Sequence, residues 1–165
     1  MEKYSPYLLE KIRDKVPASG IYLLVLHLTR DSRLLMGRRG LINFPQGYYL
    51  YVGRAKKNLL SRLKHHLVQP TKPHWHIDYF RAKAQLKGIW LTNQTLAEDL
   101  PTAECTLAEK LRSFSATHLP QLTKLGSSDC GCPGHFIYWG KNYRKISSFL
   151  SRANYLRRID DGLLF

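Results

Sequence analysis

Acidic residues are scarce in this chain. Twelve Asp and Glu stand against 26 Lys and Arg, which leaves a net charge of +14 over 165 residues. Such an excess favours a polyanionic partner, either nucleic acid or an acidic membrane surface. Cysteine is sparse too. Cys105, Cys130 and Cys132 are all there are, an odd number and too few for the disulfide framework of a small secreted domain. No apolar stretch reaches the ~20 residues that a membrane-spanning helix needs. The opening "MEKYSPYLLEKIRDKV" is charged throughout, unlike a secretory signal with its apolar centre. Internal repeats and low-complexity tracts are absent. These lacks lead to the expectation of a cytoplasmic protein, nucleoid-associated in a prokaryote, with no membrane partner. The length suits a single domain, residues 1–165, with its own core.

The apolar patterning interleaves strands and helices. Residues 6–16 place Tyr7, Leu8, Ile12 and Val16 near one helical face, and "VPASG" ends that element. "GIYLLVLHLTR" reads as a buried strand, Arg33 to Gly37 as a second one, and "YYLYVG" as a third. Turn chemistry between such runs suggests antiparallel neighbours. Lys57 to Leu67 is the clearest helix, with a stripe of Leu59, Leu60, Leu63 and Leu67. "HWHIDYF" fits either a short helix or an irregular turn. "LKGIWLT" and "HFIYWG" read as strands, "PTAECTLAEKLRSFSATH" as a helix, and residues 143–158 as a basic helix within a basic C-terminal extension, 141–165. The expected class is α/β (α+β), with a small antiparallel or mixed sheet flanked by helices.

One stretch concentrates chemistry. "GYYLYVGRAKKNLLSRLKHHL" carries three tyrosines on a strand, then a glycine, then a basic helix. Alternation sends Tyr49 and Tyr51 to one side of the strand. If this strand pairs with "GIY", Tyr22 and Tyr51 lie close together. A phenol is a poor base at neutral pH unless cations lower its pKa, and Arg54, Lys56, Lys57 and Arg62 stand nearby in sequence. Arg62 and His66 are one helical turn apart and therefore neighbours. An arginine fork suits a phosphate, and a histidine beside it can orient water or move a proton. A solvated helix face is the plainer reading of that pair taken alone.

"GIY", then "YVGRAKKNLLSRL", then "ECTLAE" together resemble the GIY-YIG nuclease family over a motif core of residues 20–110. The resemblance implies that Tyr22 and Tyr51 sit on neighbouring antiparallel strands, that Arg62 and His66 serve catalysis from the next helix, and that Glu104 binds one Mg²⁺ or Mn²⁺. It implies a metal-dependent DNA endonuclease, structure- or lesion-directed in DNA repair. The alternative is a catalytically inactive nucleic-acid-binding module on the same fold, and RNA stays open as a partner. Arg54 stands where many members have lysine. Arg54, Lys56 and Lys57, with Arg38 and Arg39 of the basic loop "GRRGLINFPQG", are the expected nucleic-acid contacts. Glu109 is the runner-up metal ligand, and Asn142 is a weak match to an asparagine frequent in the family. "HWHIDY" and "SSDC" resemble a little-characterised branch that also occurs fused to endonuclease III-like glycosylases.

Two further clusters stand out. In extended backbone His74, His76 and Asp78 would share a side and line the cleft beside Glu104; local capping and pairing is the plainer alternative. "CGCPGH" brings Cys130, Cys132 and His135 together. C-x-C-x2-H departs from common zinc spacings, so the expectation is a tight loop with free thiols rather than a structural zinc.

Overall fold

The apolar run after Gly20 has no polar face to show to solvent, and it becomes the middle of a sheet. A computed structural model of the chain describes residues 6–68, 71–93, 100–127 and 130–164. The strands are β1 (Gly20–Leu28), β2 (Ser32–Leu35), β3 (Leu41–Phe44), β4 (Gly47–Ala55), β5 (Gln85–Thr92), β6 (Phe136–Gly140) and β7 (Leu156–Arg158). The helices are α1 (Pro6–Arg13), α2 (Leu59–Val68), α3 (His76–Arg81), α4 (Leu100–Phe114) and α5 (Tyr143–Arg152). Five strands form a sheet in the order β6-β4-β1-β5-β7, antiparallel throughout, while β2 and β3 form a separate hairpin. The expected α+β class with a central antiparallel sheet is what the chain adopts.

Strand alternation divides the core in two. Tyr22, Leu24, Leu26 and Leu28 of β1 and Tyr49 and Tyr51 of β4 face one side, where α1, α2, α3 and the β2–β3 hairpin cover them. Ile21, Leu23 and Val25 of β1 and Leu50 and Val52 of β4 face the other, under α4 and α5. The leucine stripe of α2 is anchored by Leu59, Leu63 and Leu67, all buried, each contributing about 1.5–3 kcal/mol relative to exposure. The stripe fixes the roll of α2, so the polar side with Arg62 meets the end of β4. Among the described residues, no helix is long and apolar enough to cross a membrane.

The C-terminal basic run is not one helix. α5 stops at Arg152, and Leu156–Arg158 pairs with β5 as an edge strand. A buried carboxylate accounts for the switch. Asp160 Oδ1 accepts from the Ile89 N–H at 3.0 Å and from Arg158 Nε at 2.9 Å, which draws the tail onto the sheet.

Gly53 of β4 lies opposite Tyr22 of β1. A Cβ at Gly53 would come within 2.3 Å of the Tyr22 ring and of its hydroxyl. Gly53→Ala is therefore expected to destabilise the fold by about 1–3 kcal/mol through overpacking, measured by urea denaturation. Wild-type stability for this variant would contradict the close packing of Tyr22 on that glycine.

Candidate functional site

The cleft begins with that missing side chain. Because Tyr22 pairs with Gly53 and Leu24 with Tyr51, the two phenols sit diagonally on one face, ring centroids 6.3 Å apart. The two phenols influence each other electrostatically, and Tyr22 Oη lies 2.8 Å from His66 Nε2. A chain of three groups results, His66–Tyr22–Tyr51, with His66 buried behind Tyr22. The two tyrosines border a cleft of about 840 Å³, also lined by Arg54, Lys56, Lys57, Arg62, Trp75 and Glu104. His66 does not line it.

Burial governs how these groups titrate. It raises the Tyr22 hydroxyl well above the ordinary phenol value, reinforced by Tyr51 and opposed by Arg62. Tyr51 is raised too, first by burial and then by the negative charge of Glu104. The expected lowering by nearby cations is therefore overridden, and both phenols are protonated at neutral pH. Burial, then the neighbouring His65, pushes His66 down to about 3, so its imidazole is neutral.

The cations arrive on α2 and the turn before it. Lys56 and Lys57 are exposed at the cleft margin. Arg62 is half-buried, its guanidinium 4.0 Å from the centre of the Trp75 ring. That stacking holds the planar fork while leaving its edge for a ligand. Trp75 is held in turn. Asp78 Oδ2 accepts from the backbone N–H groups of His74 and Trp75 at 2.9 and 3.0 Å, and Asp78 Oδ1 lies 2.8 Å from His65 Nε2.

"HWHIDY" is therefore not an extended strip with three side chains on one side. Its last four residues open α3, and the buried Asp78 carboxylate accepts from the His74 and Trp75 amides just before the helix. His74 and His76 do line the cleft. His76 Nδ1 also accepts from the Gly126 N–H at 3.0 Å, tying α3 to the loop opposite.

Glu104 enters from α4, buried and bordering the cleft. Arg54 Nη1 stands 3.2 Å from Glu104 Oε2, and His135 Nδ1 stands 3.4 Å from Oε1. A small divalent cation commonly takes only one or two protein carboxylates and completes its shell with water and substrate phosphate. The residues fit that pattern: Glu104 supplies the carboxylate and the open cleft leaves room for the rest. Glu109, by contrast, is exposed and outside the cleft.

The cysteines require a correction. Cys105 of α4 meets Cys130, Cys132 and His135 from the loop before β6, with all four donor atoms within 4.8 Å of one another. This group can hold a metal ion, and its donors are soft sulfur and imidazole rather than the oxygens that Mg²⁺ prefers. The expectation against a structural zinc rested on the spacing within "CGCPGH". The missing ligand comes from α4, 25 positions before Cys130. Asp129 of "SSDC" lies outside the described residues.

Arg38 and Arg39 are exposed in a turn between β2 and β3, away from the cleft lining. Arg39 donates to the Thr123 carbonyl at 3.0 Å. Asn142 caps α5 by accepting from the Lys145 N–H at 3.3 Å and does not border the cleft. Sequence reasoning missed Trp75 as part of the site, and it weighed His135 only beside the cysteines, not against Glu104. The run "HWH" beside a basic helix was a signal for the first, since aromatic rings so placed can stack on arginine.

The buried His66 gives the site a pH signature. An unfolded chain protonates this histidine below about 6.5, whereas the native chain does so only near 3. Its folded pKa is depressed, so native stability is untouched above the unfolded value and falls as pH drops through that window. His66→Gln removes this liability. Between pH 7 and 5 the stability of wild type relative to His66→Gln should fall by about 2 kcal/mol, read from urea titrations at both values. A constant difference would contradict the buried neutral imidazole.

Neither the curated proteins nor the solved structures contain a match to this sequence. A family model described as a domain of unknown function, DUF123, matches residues 21–157. That range runs from the second residue of β1 into β7 and takes in the cleft and the cysteine cluster, and on this match the chain belongs to the DUF123 family.

Proposed function

We propose that the chain is a metal-dependent endonuclease that hydrolyses phosphodiester bonds in DNA, with a GIY-YIG-like site and a role in repair of unusual or damaged structures. The observation that carries this reading is the convergence of Tyr22, Tyr51, Arg62 and Glu104 on one cleft bordered by Lys56 and Lys57. Those four matched the family pattern in sequence, and they come from four different elements. A core tyrosine or a solvated arginine has no need of the others.

The roles follow from position. Arg62, steadied on Trp75, presents its fork to the phosphoryl oxygens as their charge grows. Lys56 and Lys57 hold flanking phosphates. Tyr51 and Tyr22 orient the attacking water through their hydroxyls. As the water oxygen bonds to phosphorus, its proton passes to Tyr22 Oη, and the phenol's own proton passes to His66 Nε2. His66 is a weak acceptor in the resting cleft, and the negative charge of a bound phosphate favours its protonated form. Glu104 would hold a Mg²⁺ or Mn²⁺, with water and substrate oxygens completing the shell. That ion would supply Lewis acidity at the phosphoryl group and at the leaving oxygen.

A binding-only module is the second reading, favoured by one specific contact. Arg54 lies against the Glu104 carboxylate at 3.2 Å, and it must turn outward before a cation can bind there. In the nuclease reading the substrate phosphate draws it away.

Labelled DNA flaps, junctions and duplexes incubated with Mg²⁺ or Mn²⁺ separate the two. Glu104→Ala should abolish cleavage and leave DNA affinity largely intact. Tyr22→Phe and Tyr51→Phe should each slow cleavage by about 10²–10⁴, the usual worth of positioned acid–base groups. Arg62→Ala should hurt cleavage more than binding. Unaltered metal-dependent cleavage by Glu104→Ala would remove the assignment, and binding without cleavage by wild type on every substrate would leave the module. Affinity measured by anisotropy without metal should fall with salt at a log–log slope of about 0.9 per phosphate contact, for roughly four to seven contacts. A flat salt response would reject both readings.

A further inference from the structure

Three thiols and one imidazole from two distant segments close on a single point. Cys105 Sγ lies 3.4 Å from Cys130 Sγ and 3.6 Å from His135 Nε2. Cys130 Sγ lies 3.0 Å from Cys132 Sγ and 3.6 Å from His135 Nε2, and Cys132 Sγ lies 2.9 Å from the same nitrogen. Sulfur at ~2.3 Å and nitrogen at ~2.0 Å around a tetrahedral zinc stand roughly 3.5–3.8 Å from one another. The quartet needs only a small expansion to enclose that ion. All three cysteines are free, so none is committed to a disulfide.

The other imidazole nitrogen faces a carboxylate: His135 Nδ1 is 3.4 Å from Glu104 Oε1. Zinc-bound histidines commonly give their second N–H to such a group, which sets the tautomer and raises ligand basicity. We propose that Cys105, Cys130, Cys132 and His135 form a structural zinc site closed on four protein ligands, with Glu104 as the acceptor that holds His135 in position.

Binding converts three thiols to thiolates and releases three protons to solvent. Zn²⁺ with three thiolates and a neutral imidazole leaves one net negative charge. Cations flank it: Arg54 beside Glu104, and Arg112, which donates to the Gly134 carbonyl. The ion joins α4 to the loop that forms a wall of the cleft. Gly126 of that loop packs close to the Tyr51 ring, and the His135 carbonyl accepts from the Val52 N–H at 3.0 Å. The zinc would therefore fix both Glu104 and the Tyr51 side of the cleft. The ligand set itself is independent of the nuclease reading, because none of its four residues contacts a phosphate in that mechanism.

The test uses the full chain, purified reduced and without chelator. Elemental analysis should find about one zinc per chain, and replacement by Co²⁺ should give the intense visible bands of a tetrahedral thiolate site. Cys105→Ser with Cys132→Ser should lose the metal. Should that variant fail to fold, Glu104→Gln keeps the side chain's shape and should weaken zinc affinity by about 10–100-fold in a chelator competition, with an unchanged circular dichroism spectrum. No zinc despite reduced thiols, stoichiometric zinc in the double variant, or wild-type affinity in Glu104→Gln would each overturn the proposal. DNA cleavage enters none of these readouts, so the two proposals can fail separately.

Discussion

The site depends on one close contact, the Tyr22 ring laid across Gly53. With any side chain at Gly53 the ring would be displaced, since a Cβ there would overlap it at 2.3 Å. With the ring in place, the hydroxyl reaches His66 at 2.8 Å and the phenol meets Tyr51. Both tyrosines are thereby packed into the core while still bordering the cleft. A buried phenol with a hydrogen-bonded tip is held in one geometry at little further entropic cost, which is the preorganisation an electrostatic site needs.

The layers around this contact divide the work. The α2 leucines set the roll that aims Arg62 at the cleft, and Asp78 sets the turn that brings Trp75 under Arg62. On the opposite side of the sheet, α4 delivers Glu104 toward the same opening. Adjacent residues of that helix serve two places: Glu104 borders the cleft and Cys105 joins the cysteine cluster. A shift of α4 would move both together, which is a physical reason to anchor the helix to the neighbouring loop.

Local pattern made much of this legible beforehand. β1 and β4 are visible as apolar and aromatic runs, α2 as a leucine stripe, and the closeness of Tyr22 to Tyr51 follows once those two strands pair. What escaped was long-range or set by burial. Cys105 was passed over as a ligand because its partners are far along the chain and only the fold brings them together. The phenols were expected to be made acidic by cations adjacent in sequence, yet desolvation outweighs those charges once the rings are buried. For "HWHIDYF" the sequence leaves a short helix and an irregular turn open, and His74, His76 and Asp78 share a side only if the backbone is extended. The hydrogen bonds that Asp78 accepts from the His74 and Trp75 amides fix a helix start there.

The central claim is that the Tyr22–Arg62–Glu104 cleft receives a DNA phosphate. A crystal structure of the Tyr22→Phe chain with a short DNA and Mn²⁺, using anomalous scattering to locate the ion, tests it most directly. The account predicts a phosphate against Arg62, manganese on Glu104, and Arg54 turned away from that carboxylate. DNA lying away from the cleft, against Lys110 of α4 and Arg144, Lys145 and Arg152 of α5, with Arg54 still on Glu104 and no manganese in the cleft, would contradict it.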